Sequence, residues 1–311
     1  MRRPTIHRLA AIALACGLFS PSALAQTTAM PKAKASMPDT VQMEHISIRT
    51  IGRGAPVILI PGLSSPRAAW DDVAPELAKE HSVLLVQVNG FGGGDPRGNL
   101  APGVLDGIVA DLHATIVQRR LNQPAIIGHS MGGLVGLMLA ARHPTEVGKL
   151  MMVDSLPFFA ATMAPPGVAI TVAMVEPRAA QMRDAVAASY GKAPDPAAAA
   201  AQVAGMTLNA SYRPRLTEWA MRSDPRVAAR AMYEDLTTDI RPELPKVRAP
   251  VTVVYAWNDT YPRKEPAEAF FRQQFAGTAT IDFKGIGPSA HFVMFDQSAQ
   301  FQQVAGEFLA R

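Results

Sequence analysis

The sequence predicts an α/β fold in which a mostly parallel sheet is flanked by helices. Short apolar runs bounded by glycine and proline alternate with longer stretches of helical periodicity. Such alternation is typical of parallel strands joined by right-handed helical crossovers. Most of the runs are continuously apolar, as in strands that are covered on both faces. One long stretch, residues 156–247, has no strand character, and we interpret it as an insert in this fold.

Seven segments have the character of strands. The first, residues 45–51, alternates polar and apolar residues and fits an edge strand. The others are the apolar runs 57–60, 83–88, 125–127, 150–153, 251–255 and 280–283. Helical segments are expected near 67–80, 103–121, 133–143, 264–275 and 296–310. Ligands of such sheets bind beyond the carboxyl ends of the strands, so functional residues are expected there.

The insert, Leu156 to Val247, is rich in Ala, Met and Arg, with prolines between its segments. We expect it to be helical throughout. Its methionines either line an adaptable apolar pocket or pack the helices together. These methionines are Met163, Met174, Met182, Met206, Met221 and Met232.

Residues 1–25 have the features of a secretory signal peptide. The arginines Arg2, Arg3 and Arg8 precede an apolar run, Leu9 to Phe19, that is too short to span a bilayer stably. Ala23-Leu24-Ala25 is a small-x-small cleavage site. We therefore expect export to the periplasm or the medium. Residues 26–43, after the signal peptide, are expected to form a flexible linker. Cleavage at Cys16, which would make a lipoprotein, is the alternative.

Composition excludes several classes of function for the mature chain. Cys16 is the only cysteine, so a chain cleaved after Ala25 would have no disulfide and no thiol nucleophile. Loss of the leader would lower the net charge of +4 by three arginines, to about +1. Without a dense Lys/Arg run, nucleic-acid binding is not expected. No stable membrane span is expected in the mature chain.

Ser130 is the central candidate for chemistry. It lies in Gly128-His129-Ser130-Met131-Gly132, between an apolar strand and an apolar helix. This strand–turn–helix context is that of a nucleophile elbow, where a sharp turn exposes a serine hydroxyl. Gly128 and Gly132 supply the small residues that such a turn requires.

The order of the candidate residues then resembles the α/β-hydrolase family over residues 44–310. An aspartate follows Ser130 in the chain and His291 follows the aspartate, which is the order of that family. The resemblance implies the α/β-hydrolase fold, with a core formed by residues 44–155 and 248–311. It also implies that the insert, residues 156–247, is a helical cap over the active site.

The resemblance assigns the base to His291, in the loop before the last helix. It favours Asp259, after the strand 251–255, as the acid that orients this histidine. Asp154, at the end of the preceding strand, is the alternative acid. The oxyanion hole is expected from the backbone N–H groups of Leu63 and Met131.

No cofactor is expected. The glycine-rich loop from Asn89 to Asp95 lacks the lysine and the spacing of a phosphate-binding loop, so we interpret it as a flexible wall of the pocket. No two histidines show metal-ligand spacing, and no metal is expected.

These features predict a serine hydrolase that cleaves a small to medium carboxylic ester through an acyl-enzyme. The expected partner is thus a small-molecule ester. Because a fold does not determine a substrate, a lactonase, a C–C bond hydrolase and a cofactor-free haloperoxidase remain alternatives. A binding protein without catalysis is the alternative from another class.

Overall fold

An eight-stranded sheet organises the chain, as seen in a computed structural model that describes residues 40–164, 168–260 and 262–311. The strands are β1 (Thr40–Gln42), β2 (Ile46–Gly52), β3 (Ala55–Ile60), β4 (His81–Val88), β5 (Ala125–His129), β6 (Lys149–Val153), β7 (Val251–Ala256) and β8 (Ile281–Ile286). Their spatial order is β1-β2-β4-β3-β5-β6-β7-β8. β1 and β2 are antiparallel to their neighbours, and every other pair is parallel. The predicted fold class is confirmed.

The start of the sheet differs from the expectation. Thr40–Gln42 was expected to belong to a flexible linker, but it pairs with β2 as the outermost strand. β2 is therefore the second strand and not the edge. The signal peptide, Cys16 and linker residues 26–39 lie outside the described residues.

Ten helices accompany the sheet in the described part of the chain. They are α1 (Ala74–Leu77), α2 (Val104–Gln118), α3 (Met131–Arg142), α4 (Val172–Ala187), α5 (Pro196–Val203), α6 (Arg213–Arg222), α7 (Pro225–Thr237), α8 (Lys264–Gln274), α9 (Val293–Asp296) and α10 (Ser298–Ala310). Short 3-10 segments occupy Arg67–Trp70, Arg97–Leu100, Phe159–Met163, Ala210–Tyr212 and Arg241–Lys246. None of the described helices is both long enough and apolar enough to cross a bilayer.

The continuous apolar runs are explained by a core on each face of the sheet. In β3, Ile58 and Ile60 belong to one core, and Val57 and Leu59 belong to the other. This is the alternation that a strand imposes on successive side chains. Helices α2, α3 and α8 complete the first core, and α1 and α10 complete the second.

The segment between β6 and β7 contains only helices and 3-10 turns among its described residues. It belongs to the same compact unit as the sheet. Part of it has a small apolar core of its own, in which α4 packs against α7 through Val175, Ala179 and Leu236. Trp219 of α6 joins the core of the sheet instead.

This helical segment contacts the loops at the carboxyl ends of the strands. Glu234 of α7 accepts hydrogen bonds from the first three N–H groups of α2's amino end, at 2.7–3.1 Å. Asp224 N–H donates to Gly90 O at 2.7 Å, in the glycine-rich loop after β4. Ser223 Oγ donates to Ser64 O at 3.2 Å, in the loop after β3. The segment therefore lies at the edge of the sheet where ligands of this fold class bind.

Candidate functional site

Ser130 occupies a strained turn between β5 and α3. Its backbone angles are φ 53° and ψ −127°, a region that residues with a Cβ atom rarely adopt. A Cβ on Gly128 would collide with the backbone of Gly132, and one on Gly132 would collide with the carbonyl of Ile60. Both glycines of the pentapeptide are thus needed by the close approach of β5, α3 and β3.

Asp154 and His291 are directly paired. His291 Nδ1 lies 2.7 Å from Asp154 Oδ2. Asp154 Oδ1 accepts a hydrogen bond from the N–H of Ala256 at 3.1 Å, which fixes the carboxylate against β7. Asp154 also has a left-handed φ of 46°, so its backbone is held in an uncommon conformation at the end of β6. With its Nδ1 proton held by the carboxylate, a neutral imidazole can accept a proton at Nε2.

The pairing reverses the preference for Asp259. Asp259 lies in the loop after β7 with an exposed side chain, and it makes no hydrogen bond to His291 in the described part of the chain. The carboxylate that the structure brings to His291 is that of Asp154. Both aspartates follow strands that end at the same edge, and the left-handed turn at Asp154 aims its side chain at the histidine.

His129, next to the serine, holds the loop that carries His291. Its Nε2 lies 3.0 Å from the His291 carbonyl oxygen, so the ring must carry its proton at Nε2 to donate there. Burial, assisted by the nearby charge of His291, holds the pKa of His129 well below its ordinary value. A neutral His129 therefore connects the elbow to the His291 loop.

Two backbone N–H groups beside Ser130 have no acceptor among the described residues. They belong to Leu63 and Met131, the pair expected to form an oxyanion hole. A Cβ on Gly62 would lie 3.0 Å from Ser130 Cβ, so the chain before Leu63 passes close to the serine. Met131 is also the first residue of α3, where the helix dipole favours negative charge.

Asp296 joins the helical segment to the His291 loop. Its carboxylate accepts hydrogen bonds from Thr207 Oγ1 at 2.5 Å and from the N–H groups of Leu208 and Asn209 at 3.1 and 2.9 Å. It also accepts one from the N–H of Ala290 at 2.8 Å, next to His291. One side chain thus links the loop after α5 to the candidate base.

A cavity of about 940 Å³ is lined by both Asp154 and His291. Ser130 is not among the residues that line it. The lining is largely apolar and includes Leu156, Phe159, Val168, Ile170, Phe270 and Phe271. None of the six methionines of the insert lines this cavity. Met182 and Met232 pack between helices instead, and the Met174 side chain is 58% exposed.

A second cluster of titratable groups lies at the far end of α3. His113, His143 and Glu146 bring their ligand atoms within 4.8 Å of one another. His113 Nδ1 is hydrogen-bonded to Glu146 at 2.9 Å, and the two imidazoles stack at 4.0 Å with planes only 16° apart. Nearly parallel rings do not direct their lone pairs at one point, so hydrogen bonding and stacking account for this arrangement. Burial and the charge of His113 lower the pKa of His143.

Asp235 is a buried carboxyl group that the sequence analysis did not single out. It lies on α7, is 6% exposed, and no described residue donates a hydrogen bond to its carboxylate. Burial raises the pKa of Asp235 to about 7, and the charge of His291 opposes that rise. The signal in the sequence was its spacing of four and eight residues from Ala231 and Val227, which places a carboxylate on an apolar face.

We expect Asp235→Asn to stabilise the protein at neutral and higher pH. The folded protein retains the Asp235 proton up to about pH 7, whereas its ordinary pKa is 3.8. Between these values the folded state binds more protons than the unfolded state, so stability falls as pH rises. The variant should gain up to about 4 kcal/mol above pH 7 and almost nothing at pH 3. Urea unfolding at several pH values measures this.

Asp224→Asn is the matched control on the same helix. Burial acts to raise the pKa of Asp224, but its hydrogen bonds from Arg226 outweigh burial and lower it. Its contribution to stability is therefore present at neutral pH and lost in acid. The control should be destabilised above pH 5, the opposite sign. Equal effects of the two substitutions would contradict the burial of an unpaired carboxylate at Asp235.

Comparison with curated proteins finds relatives among hydrolases. The chain is 32% identical over 124 residues to a pimeloyl-(acyl-carrier protein) methyl ester esterase of Aeromonas hydrophila, in a match that covers 40% of this chain and 47% of that protein. It is 31% identical over 107 residues to an N-formylmaleamate deformylase of Pseudomonas putida, covering 34% and 40%. The chain thus spans about half the length of the curated relatives it matches, or less.

Solved structures share the whole fold. An esterase from Exiguobacterium antarcticum superposes with a TM-score of 0.71 and 16% identity, covering 88% of this chain and 100% of that chain. An enol-lactonase from Burkholderia xenovorans LB400 superposes with a TM-score of 0.67 and 18% identity, covering 86% and 96%. At these identities the likeness shows the fold alone. Residues 57–304 match the model of one family, and the chain therefore belongs to the alpha/beta hydrolase family.

Proposed function

We propose that this hydrolase cleaves carboxylic esters through an acyl-enzyme formed on Ser130. The observation that carries the proposal is the 2.7 Å pair of Asp154 and His291 at the sheet edge where the Ser130 elbow ends. A serine hydroxyl needs a base to become nucleophilic at neutral pH, and the base needs a group that holds its tautomer. In this proposal Asp154, and not Asp259, holds the tautomer.

The first step is attack of Ser130 Oγ on the acyl carbon. His291 Nε2 takes the hydroxyl proton as the Oγ–C bond forms, and it then returns the proton to the leaving alcohol. The N–H groups of Leu63 and Met131 donate to the oxygen that becomes negative. A donor of this kind is typically worth about 3 kcal/mol in the transition state.

The second step releases the acid. Water gives a proton to His291 Nε2 and attacks the acyl carbon of the Ser130 ester, and the proton passes to Ser130 Oγ as that bond breaks. Asp154 keeps its negative charge throughout and stabilises the imidazolium. Water alone completes the cycle, and the chemistry requires no organic cofactor.

The apolar cavity beside the pair supports an ester with an apolar acyl or alcohol part. Phe159 of the insert and Phe270 of α8 both line this cavity. The insert would then select substrates by size, as caps that close apolar pockets do. The names of the two curated relatives also describe cleavage at an acyl carbon, of an ester and of a formyl group.

The direct test is a series of p-nitrophenyl esters from acetate to decanoate. We expect wild-type turnover with a preference for chains of medium length, and a fluorophosphonate probe should label Ser130. If no ester is hydrolysed and the probe does not label Ser130, the proposal is contradicted.

Phe270→Ala should shift the same series toward longer acyl chains, because it enlarges the cavity by most of an aromatic ring. Relative rates across the series, each divided by the acetate rate, measure the shift. Met174→Ala is the matched control, since that side chain is exposed outside the cavity. An unchanged profile in Phe270→Ala would mean that this cavity does not hold the acyl chain.

A further inference from the structure

Gln274, the last residue of α8, has a buried amide group without a hydrogen-bond partner. The residue is 9% exposed, and its Oε1 atom is enclosed and accepts no hydrogen bond. Its amide nitrogen also donates to no residue in the described part of the chain. Buried polar groups in native proteins are nearly always paired, and an unpaired one destabilises the folded state. This amide is therefore available to a partner that does not belong to the fold.

The cavity beside the candidate base is the space that Gln274 borders. Gln274 belongs to its lining, together with Asp154 and His291. Four other described residues have a buried side-chain nitrogen or oxygen without a partner, and none of them lines this cavity: Trp70, His129, Trp257 and Thr278. An unpaired polar group and an apolar cavity thus coincide at Gln274.

The cavity extends along α8 away from the carboxyl edge of the sheet. Ala256, at the end of β7, and Ala267, in the first turn of α8, both line it. Because α8 joins the parallel strands β7 and β8, it runs back toward the amino ends of the strands. Gln274 lies roughly 10 Å beyond Ala267 along the helix axis. A group bound at Gln274 is therefore separated from the reacting ester by a chain.

The charges on the cavity wall favour an uncharged group at Gln274. Among the described residues, the lining includes one carboxylate, that of Asp154, and one guanidinium, that of Arg241. The carboxylate is paired with His291 at 2.7 Å. The guanidinium is paired with Asp239 at 2.6 Å. A charged end group would lose its hydration here without gaining an unpaired counter-ion.

We propose that Gln274 binds an uncharged carboxamide of the substrate, at the far end of an apolar chain that begins at the ester attacked by Ser130. This inference rests on the proposed function and names its substrate class: esters of acids that end in an amide. An amide side chain both donates and accepts, so a carboxamide can form two hydrogen bonds with it. A site with such a group rejects an analogue that leaves the group unpaired.

The test compares p-nitrophenyl esters that share a chain and differ in the end group. The end group is a carboxamide, a carboxylate or an isopropyl group, which are similar in size. The chain between it and the acyl carbon has four, six or eight methylenes. The measured quantity is kcat/KM for the amide ester divided by kcat/KM for the isopropyl ester of the same length. We expect this ratio to be about tenfold higher in the wild type than in Gln274→Met, at one length at least.

Methionine is chosen because it is unbranched and similar in shape to glutamine but lacks the amide. Gln274→Leu is the second variant if the first does not fold. Gln303→Met is the matched control, an exposed glutamine of α10 outside the cavity lining, and it should keep the wild-type ratios.

Three outcomes would overturn the inference. The first is the same amide-to-isopropyl ratio in the wild type and in both Gln274 variants at every length. The second is an equal loss of kcat/KM for all end groups with a lower Tm, which would show that the amide serves the fold. The third is a larger fall for the carboxylate esters than for the amide esters, which would show that the bound group is an anion.

Binding to Ser130→Ala keeps this result apart from the proposed function. Calorimetry with the methyl esters of the same acids needs no turnover. We expect an amide ester to bind about tenfold more weakly to Ser130→Ala/Gln274→Met than to Ser130→Ala, whereas the isopropyl ester should show no such loss. If the wild type cleaves no ester but this difference is present, the proposed function fails and the recognition site stands. If esters are cleaved but the difference is absent, the recognition site fails alone.

Discussion

Ser130→Ala should abolish hydrolysis of a short aryl ester while the protein stays folded. Alanine keeps the Cβ, so the strained backbone at φ 53° is unchanged, but it offers no oxygen to attack the acyl carbon. In a serine protease the loss of the nucleophile costs about 10⁶ in kcat, and a fall to the uncatalysed background is expected here. Initial rates with p-nitrophenyl butanoate measure the loss of hydrolysis, and circular dichroism of both proteins shows whether the variant is folded.

Ser189→Ala is the matched control, an exposed serine at the end of α4. It should retain the wild-type rate. A folded Ser130→Ala protein with a rate within tenfold of wild type would remove Ser130 from the mechanism. The same outcome would leave the fold and the family untouched, because these rest on the sheet and on the matched residues.

Asp154→Asn should lower kcat by about 10⁴, as the equivalent change does in a serine protease. The side-chain oxygen can still accept from the N–H of Ala256, so the amide group then faces His291 Nδ1. A donor at that place forces the imidazole into the tautomer that carries its proton at Nε2, where it cannot accept the serine proton. Steady-state rates with the aryl ester measure the loss.

Asp259→Asn is the control that shows which of the two aspartates orients His291. Asp259 is an exposed residue of the loop after β7, so its substitution should change kcat by less than about twofold, in keeping with the small effects of surface changes. The reverse ranking of the two variants would return the acid to Asp259.

The elbow and the sheet were predictable because local rules determine them. Gly128 and Gly132 surround a serine between a strand and a helix, and the collisions that a Cβ would cause there are a property of the turn itself. The apolar runs likewise report burial on both faces without reference to any distant residue. These features could therefore be inferred from windows of a few residues.

The choice of acid was not predictable in the same way. Asp154 and Asp259 both follow strands that end at one edge, and their sequence contexts do not say which side chain turns toward His291. The difference is a left-handed φ at Asp154 and an N–H of the neighbouring strand that holds its second oxygen. Both depend on how β6 and β7 lie side by side, which no local pattern records.

Two other features of the structure were not predicted from the sequence, for different reasons. Thr40–Gln42 is three residues long, too short for periodicity to distinguish a strand from a linker. The burial of Asp235 was not expected, because an aspartate on a helix with many charged residues is usually solvated. Its spacing from Val227 and Ala231 was visible, but its burial depends on packing between the insert and the sheet.

The carboxylate of Asp296 couples the helical segment to the loop that carries the candidate base, so a change in one affects the other. It holds the loop at residues 207–209 and the N–H beside His291 at the same time. A graft that exchanges only the insert for one of another family member would remove three of these donors and leave a charge without them. An exchange of the helical segment, in evolution or by design, must therefore preserve the turn after α5 that donates to Asp296. Substrate range and the placement of the base would then change together more readily than either would alone.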